Sequence, residues 1–207
     1  MSAAETPWVL SAELRGHEAD VKCVCSIDGG RIGSGGRDRQ VIVWSAAEDG
    51  ERPPYRATSS HTLHEHFVNS VCDAGGGRLA SGAGSGKGGS MRMWDMSGPD
   101  AALVPGHTKN VCALALAPSG SLLSGSWDNN AMVWPEGGVL SGHSGAVWAV
   151  LGLENGDFAT ASADKTIKIW HEGRCVKTLT GHTDAVRAVR RCGNPWGVHV
   201  RVPCHVG

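Results

Sequence analysis

The chain has 207 residues and a formal net charge of −1, enough for one well-buried domain, and its charges are interspersed apart from a cluster at Arg187, Arg190, Arg191 and Arg201. No apolar run approaches the roughly 20 residues a membrane span needs, and Met1 to Leu14 lacks the basic and apolar regions of a signal peptide. Nucleic acid and membrane are therefore not expected as partners, and a cytoplasmic or nuclear protein is.

In chain order, an N-terminal strand is read over Trp8 to Glu13. A first repeat then starts at Gly16-His17: Ser34 falls 17 residues after the His, Asp38 21 after it and Trp44 27 after it. Gln40 to Trp44 alternates as a strand does, and Asp28-Gly29-Gly30 suits a hairpin that needs φ > 0. Ala46 to Thr62, with Glu51-Arg52-Pro53-Pro54, reads as a longer loop. The second repeat is worn. Leu63-His64 stands for Gly-His, Ser81 keeps its offset, and Trp94 comes late, after a glycine-rich insert with no Asp. The third repeat restores the spacing at His107, Ser124, Asp128 and Trp134, with strands at Asn110–Leu114 and Ala131–Trp134. The fourth repeats it at His143, Thr160, Asp164 and Trp170, with strands at Ala146–Val150 and Thr166–Trp170. A fifth begins with Gly181-His182 and Ala185-Val186, but the positions that require a hydroxyl and an Asp hold His199 and Pro203.

A period of about 40 residues with Gly-His at one end and Trp at the other is the signature of WD-repeat β-propeller blades. The expected fold is all-β: an incomplete propeller of about four blades, with the N-terminal strand and the start of a fifth blade, over residues 1–189. Residues 190–207 form a non-repeat tail. A truncated or alternatively translated product is the expected reason, with a compact tail as the alternative.

The repeated residues have a physical task. Asp in the turn before the third strand can accept from the imidazole, the imidazole can bond the Ser or Thr hydroxyl, and that hydroxyl can accept from the indole N–H. Each bond contributes about 0.5–1.5 kcal/mol, and each buried group left unsatisfied costs about 1–3 kcal/mol. His17, Ser34, Asp38, Trp44, His64, Ser81, Trp94, His107, Ser124, Asp128, Trp134, His143, Thr160, Asp164, Trp170 and His182 are assigned to this structural network. A Ser-His-Asp hydrolase would not need its triad in several copies, so no catalytic residue is assigned.

Other motifs are set aside on context. Gly84-Ser85-Gly86-Lys87-Gly88-Gly89 matches a dinucleotide fingerprint, but Ser90–Trp94 after it reads as a strand where a helix is required, and no Walker P-loop is present. No cofactor is expected. The seven cysteines lack paired metal spacing and read as buried free thiols, and the His61, His64, His66 cluster reads as a solvated loop. No metal site is assigned.

Trp127 and Trp148 lie off the repeat positions. Each sits beside a turn on the face where propellers bind, and together they can form an apolar anchor with polar support from Arg37, Asn110 and Arg187. Packing between blades is the alternative.

Beyond the blade pattern, Leu122-Leu123-Ser124-Gly125-Ser126-Trp127-Asp128, Ser141-Gly142-His143 with Ala146–Val150, Ser162-Ala163-Asp164-Lys165-Thr166 and Gly173-Arg174-Cys175 resemble the propeller of the phospholipase A-2-activating protein family. Leu14–His17 and Ser34–Trp44 resemble its first blade, so the likeness runs from about Leu14 to Val189. The resemblance implies a non-enzymatic ubiquitin-binding adaptor in proteasomal, ubiquitin-dependent protein catabolism and ubiquitin homeostasis. It also implies a Cdc48/p97 segregase contact made through later domains; nothing after Val189 here could form them, so that contact is not expected of this chain. A WD-repeat scaffold for a different protein is the competing reading, and a non-functional truncated product a further one.

Overall fold

The computed structural model describes residues 12–47, 55–62, 64–86, 88–96, 98, 101–191 and 200–201. Four antiparallel sheets of four strands follow one another along these residues. Blade 1 is β1 (Val21–Ile27), β2 (Arg31–Gly36), β3 (Gln40–Ala46) and β4 (Tyr55–Thr62), and blade 2 is β5 (Val68–Gly75), β6 (Arg78–Ser85), β7 (Gly88–Asp95) and β8 (Ala101–Val104). Blade 3 is β9 (Val111–Leu116), β10 (Leu122–Ser126), β11 (Ala131–Trp134) and β12 (Gly138–Leu140). Blade 4 is β13 (Val147–Gly152), β14 (Phe158–Ser162), β15 (Ile167–His171) and β16 (Arg174–Leu179). Two residues of β17 (Arg190–Arg191) pair with β18 (Val200–Arg201). The all-β expectation of four repeat-built blades holds.

The sequence builds the blades locally. Each first hairpin turns on residues with positive φ, as at Gly29 (77°) and Gly156 (86°), where an L side chain would be strained. Each inner strand carries a bulge at the residue after its first valine, at Lys22, Asn69, Cys112 and Trp148. A bulge re-aims the side chain it frees.

The blades are joined by a valine-into-glycine seam. Val68, Val111 and Val147, which open the inner strands of blades 2, 3 and 4, are all 0% exposed. A Cβ on the preceding blade at Gly35, Gly82 or Gly125 would stand 2.5, 2.7 or 2.9 Å from the Cγ1 of that valine. Only glycine lets the inner strand come so close. Around this line run three apolar clusters, centred on Val68 and Leu79, on Val111 and Leu122, and on Val147 and Trp170. A fourth packs Val186 and Val189 onto Ala159, Ala161 and Ile167.

Two expectations need correction. Much of the stretch read as a loop over Ala46 to Thr62 is β4, an outer strand paired along β3 from Gln40↔Thr62 to Ala46↔Tyr55. Its mostly polar residues lie half-buried or exposed, so it lacks the apolar alternation that marks an inner strand; residues 48–54 lie outside the described residues. The fifth inner strand is not formed at Ala185–Val189. That segment is irregular, held by a hydrogen bond from Val186 N–H to Ser162 O at 3.0 Å and by burial of Val186 and Val189. Ala12 and Glu13 are not in a strand, and the remainder of the Trp8-to-Glu13 expectation lies outside the described residues, as does the tail apart from 190–191 and 200–201.

Candidate functional site at the Gly-His end of the blades

The Gly-His loops and the turns between second and third strands lie at one end of the blades, where the repeated residues are wired together. In blade 1, His17 Nδ1 is 2.7 Å from Asp38 Oδ2 and Nε2 is 2.8 Å from Ser34 Oγ, which accepts from Trp44 Nε1 at 2.8 Å. Blade 3 gives 2.8 Å for His107–Asp128, 2.8 Å for His107–Ser124 and 2.9 Å for Trp134–Ser124. Blade 4 gives 2.7 Å for His143–Asp164, 2.7 Å for His143–Thr160 and 2.8 Å for Trp170–Thr160. A carboxylate only accepts, so Nδ1 carries the proton, Nε2 accepts from the hydroxyl, and the hydroxyl oxygen accepts from the indole. Each Asp also takes two backbone N–H groups, from Glu18 and Gln40, Thr108 and Asn130, or Ser144 and Thr166. Ser124 is 0% exposed and its oxygen is occupied from both sides, so the triad-like arrangement presents no nucleophile to a substrate.

Blade 2 is wired differently. His64 Nε2 meets Ser81 Oγ at 2.6 Å, and Nδ1 meets Ser90 Oγ at 3.2 Å. Ser90 lies four residues before Trp94, as Thr166 does before Trp170; counting back from the Trp would have found it. Trp94 Nε1 is buried without a partner. The glycine-rich insert extends the β6–β7 hairpin until Gly89 N–H bonds His107 O at 3.2 Å. A Cβ at Gly89 would stand 2.1 Å from Lys109 O, so glycine is required by backbone meeting backbone.

Two histidine assignments change. His64 is buried and His61 sits on β4 with its ring 5.9 Å from that of Trp94, so neither belongs to a solvated loop. His182 is exposed and has no hydrogen-bond partner among the described residues, because its repeat lacks the hydroxyl and the Asp. Of the cysteines, Cys23, Cys25, Cys72 and Cys112 are partly buried and Cys175 is exposed; Cys192 and Cys204 lie outside the described residues. Burial first, with neighbouring charge at Cys23 and Cys72, pushes the thiols of Cys23, Cys72 and Cys112 up to about 12 and that of Cys25 to about 11, so all four stay protonated and unreactive at neutral pH. Among the described residues no group of three His, Cys, Asp or Glu side chains could hold a metal ion, and no helix is long and apolar enough to cross a membrane.

Burial opposes the charge on Asp38, Asp128 and Asp164, but the hydrogen bonds they accept outweigh it and hold all three carboxyls below the usual range, Asp164 at about 2. Burial, helped by Arg92, lowers His64 to about 4, and burial lowers His143 despite Asp164. Because both imidazoles are neutral in the fold, the unfolded chain binds protons that the native chain refuses once pH drops below 6.5. Their contribution is complete above that value and is lost as pH falls through it towards 4; that of Asp164 is lost only below 3.8, towards 2. Thermal melts from pH 7.5 to 4.5, chosen to span that range, are expected to show a falling Tm. His64→Gln should reduce the slope, and an unchanged slope would rule out His64 as a source.

At this same end an aromatic cluster bridges blades 3 and 4. The rings of Trp127 and Trp148 meet edge to face with centroids 5.8 Å apart, and the Arg187 guanidinium lies 4.8 Å from the Trp148 ring centroid. Trp127 is 43% exposed, and Trp148 Nε1 has no partner. The Trp127 N–H donates to Asn110 O at 3.0 Å, while the Asn110 side chain presses on Gly84, where a Cβ would stand 2.1 Å from its Oδ1. Asn110 thus anchors the Trp127 turn through its main chain. The Arg37 N–H makes the matching bond to Asp20 O at 2.9 Å, but Arg37 stands apart on blade 1. Its guanidinium lies 5.5 Å from the Phe67 ring centroid and 3.4 Å from Asp20. Phe67, 48% exposed, was not singled out in the sequence, because it occupies no repeat position.

Four sheets, each hung on a buried imidazole and opening on one end, define a WD-repeat propeller protein. The chain belongs to the WD domain, G-beta repeat family, which it matches over residues 8–45, 57–95, 101–135, 136–171 and 173–197. Among curated proteins it is similar to ubiquitin homeostasis protein lub1 of Schizosaccharomyces pombe, 39% identical over 133 residues. It is likewise similar to protein DOA1 of Saccharomyces cerevisiae, 37% identical over 127 residues. These matches cover 62% and 61% of this chain but only 18% and 17% of the relatives. The crystal structure of the WD40 β-propeller domain of Doa1 superposes with a TM-score of 0.75 at 34% identity, over 87% of this chain and 62% of that one. The structure of U3-55K superposes with a TM-score of 0.72 at 26% identity, over 85% of this chain and 56% of that one. The resemblance to the phospholipase A-2-activating protein family is borne out by these matches.

Proposed function

We propose that this chain is a non-enzymatic adaptor that binds ubiquitin, serving ubiquitin-dependent protein catabolism and ubiquitin homeostasis in the cytoplasm and nucleus. The reading is supported by the similarity to a ubiquitin homeostasis protein and carried by one observation, the Trp127–Trp148 pair with Arg187 beside it. Aromatic and arginine side chains packed together beside a half-exposed Trp have the anatomy of an interface hot spot. Trp127, Trp148 and Arg187 would make the contact, Asn110 would hold the Trp127 turn, and Arg37 with Phe67 would lie outside it. The working unit is the repeat array, residues 1–189, with 190–207 as a tail outside it. Contact with the Cdc48/p97 segregase is not part of the proposal.

Titrating ubiquitin into the folded chain and into Trp127→Ala and Trp148→Ala tests the site. Each truncation should weaken binding by at least about 2 kcal/mol, roughly thirtyfold, whereas Arg37→Ala should leave it unchanged. Equal affinities across all of them, with folding intact, would remove the tryptophans from the site. No binding by the wild type would leave the scaffold for another protein as the reading to pursue.

A further inference from the structure

At the opposite end of the blades, the seam between blades 2 and 3 is not filled. A cavity of about 360 Å³ opens there, walled by Met93, Val104, Leu122, Trp134 and Pro135, with Arg78 at its side. The volume is within the lower part of the range of small-ligand sites, roughly 300–1,000 Å³.

Its cause can be read from the repeat. The sixth residue after each seam valine closes the lower part of the seam, and these residues are Ile27, Ala74, Ala117 and Leu153. On the facing blade, the residue paired with the repeat Trp completes it: Leu79 opposite Trp94, Leu122 opposite Trp134 and Phe158 opposite Trp170. The first seam therefore combines Ile27 with Leu79. The third combines Ala117 with the larger Phe158, and it also closes by backbone approach, since a Cβ at Gly152 would stand 2.4 Å from Ala117 Cβ. The second combines Ala74 with Leu122 and has neither compensation. In consequence Trp134 remains partly exposed, whereas Trp94 and Trp170 are 2% and 1% exposed.

We propose that this cavity is a peptide-docking site, and that it takes a bulky apolar side chain next to an aspartate or glutamate in an extended segment of a partner protein. Apolar walls select the side chain. The charge follows from Arg78, the one charged residue in the lining. Its Nε is held by Gly75 O at 3.4 Å, and no carboxylate pairs with it among the described residues, so its guanidinium is left to meet an incoming one. A strand-like peptide fits better than a compact ligand because Val104 belongs to β8, the outer strand of blade 2. A sheet edge there can supply main-chain hydrogen bonds to a segment laid beside it. This site is separate from the tryptophan cluster and does not depend on ubiquitin binding.

The test is selection of random heptapeptides displayed on phage, on the 207-residue chain and on Ala74→Ile, followed by affinity measurement of the enriched peptides. Isoleucine copies the residue of the first seam, so the variant should melt at or above the wild-type temperature while losing the cavity. We expect enrichment of peptides with Leu, Met or Phe beside Asp or Glu, at least tenfold weaker binding to Ala74→Ile, and a shift towards Lys-bearing peptides with Arg78→Glu. No enrichment, enriched peptides without the acidic neighbour, or equal binding to Ala74→Ile would each overturn the proposal. So would a capped octanoate that binds where no peptide does.

Discussion

Replacing Trp170 by alanine is expected to destabilise the chain by about 3–5 kcal/mol, the usual cost of deleting a fully buried Trp. Trp170 is 1% exposed and packs in one cluster with Ala117, Leu140, Val147 and Val150, so its removal opens the seam between blades 3 and 4. It also takes the indole N–H away from Thr160 and the edge-to-face contact, at 6.3 Å, away from His143. A paired substitution separates packing from hydrogen bonding. Trp170→Phe loses the bond to Thr160 and should cost about 1 kcal/mol more than Trp94→Phe, because the Trp94 indole N–H already has no partner. Urea denaturation of the four proteins checks this, and equal costs for the two Phe variants would mean that the indole–hydroxyl bond contributes nothing.

Self-association of a polypeptide with these 207 residues, through the free face of blade 1, is the second large effect expected. Along the inner strands of blades 2 and 4, the valine pair that faces the preceding blade is buried: Val68 and Val71 are 0% and 5% exposed, and Val147 and Val150 are 0% and 7%. In blade 1 the same two positions, Val21 and Val24, are 52% and 68% exposed. Burying a valine fully yields about 1.5–3 kcal/mol, and repeat arrays draw their stability from such interfaces. Light scattering should therefore show species larger than a monomer. Val24→Lys should shift the population towards monomer without lowering the melting temperature, since the side chain has no partner to lose. A monodisperse wild-type monomer would show that the face is covered in some other way.

The second and third strands, the first hairpins and the buried imidazole network were legible because each depends on residues close in sequence or at a fixed offset. Asp38, Asp128 and Asp164 must lie in the turn that precedes the Trp strand, and glycine must stand where φ is positive; a repeat of that kind shows itself without coordinates. Outer strands were less legible. β4 is mostly polar and mostly exposed, and nothing in its pattern separates it from a loop until β3 is there to pair with it.

What recurs within one repeat was readable before any fold was known: the family, and the residues that wire blades 1, 3 and 4. The packing of the blades settled what lies between repeats. It brought Trp127 against Trp148 and Arg187 while leaving Arg37 on another blade, because the four residues come from separate repeats and their spacing depends on how blades rotate past one another. It showed Ser90 taking the imidazole bond that an Asp takes in the other blades, although counted back from Trp94 the Asp position is Gly88 and Ser90 stands where Thr166 does in blade 4. It also left a cavity at the seam of blades 2 and 3, because whether Ala74 makes a gap depends on the size of Leu122, a residue 48 positions later on the neighbouring blade.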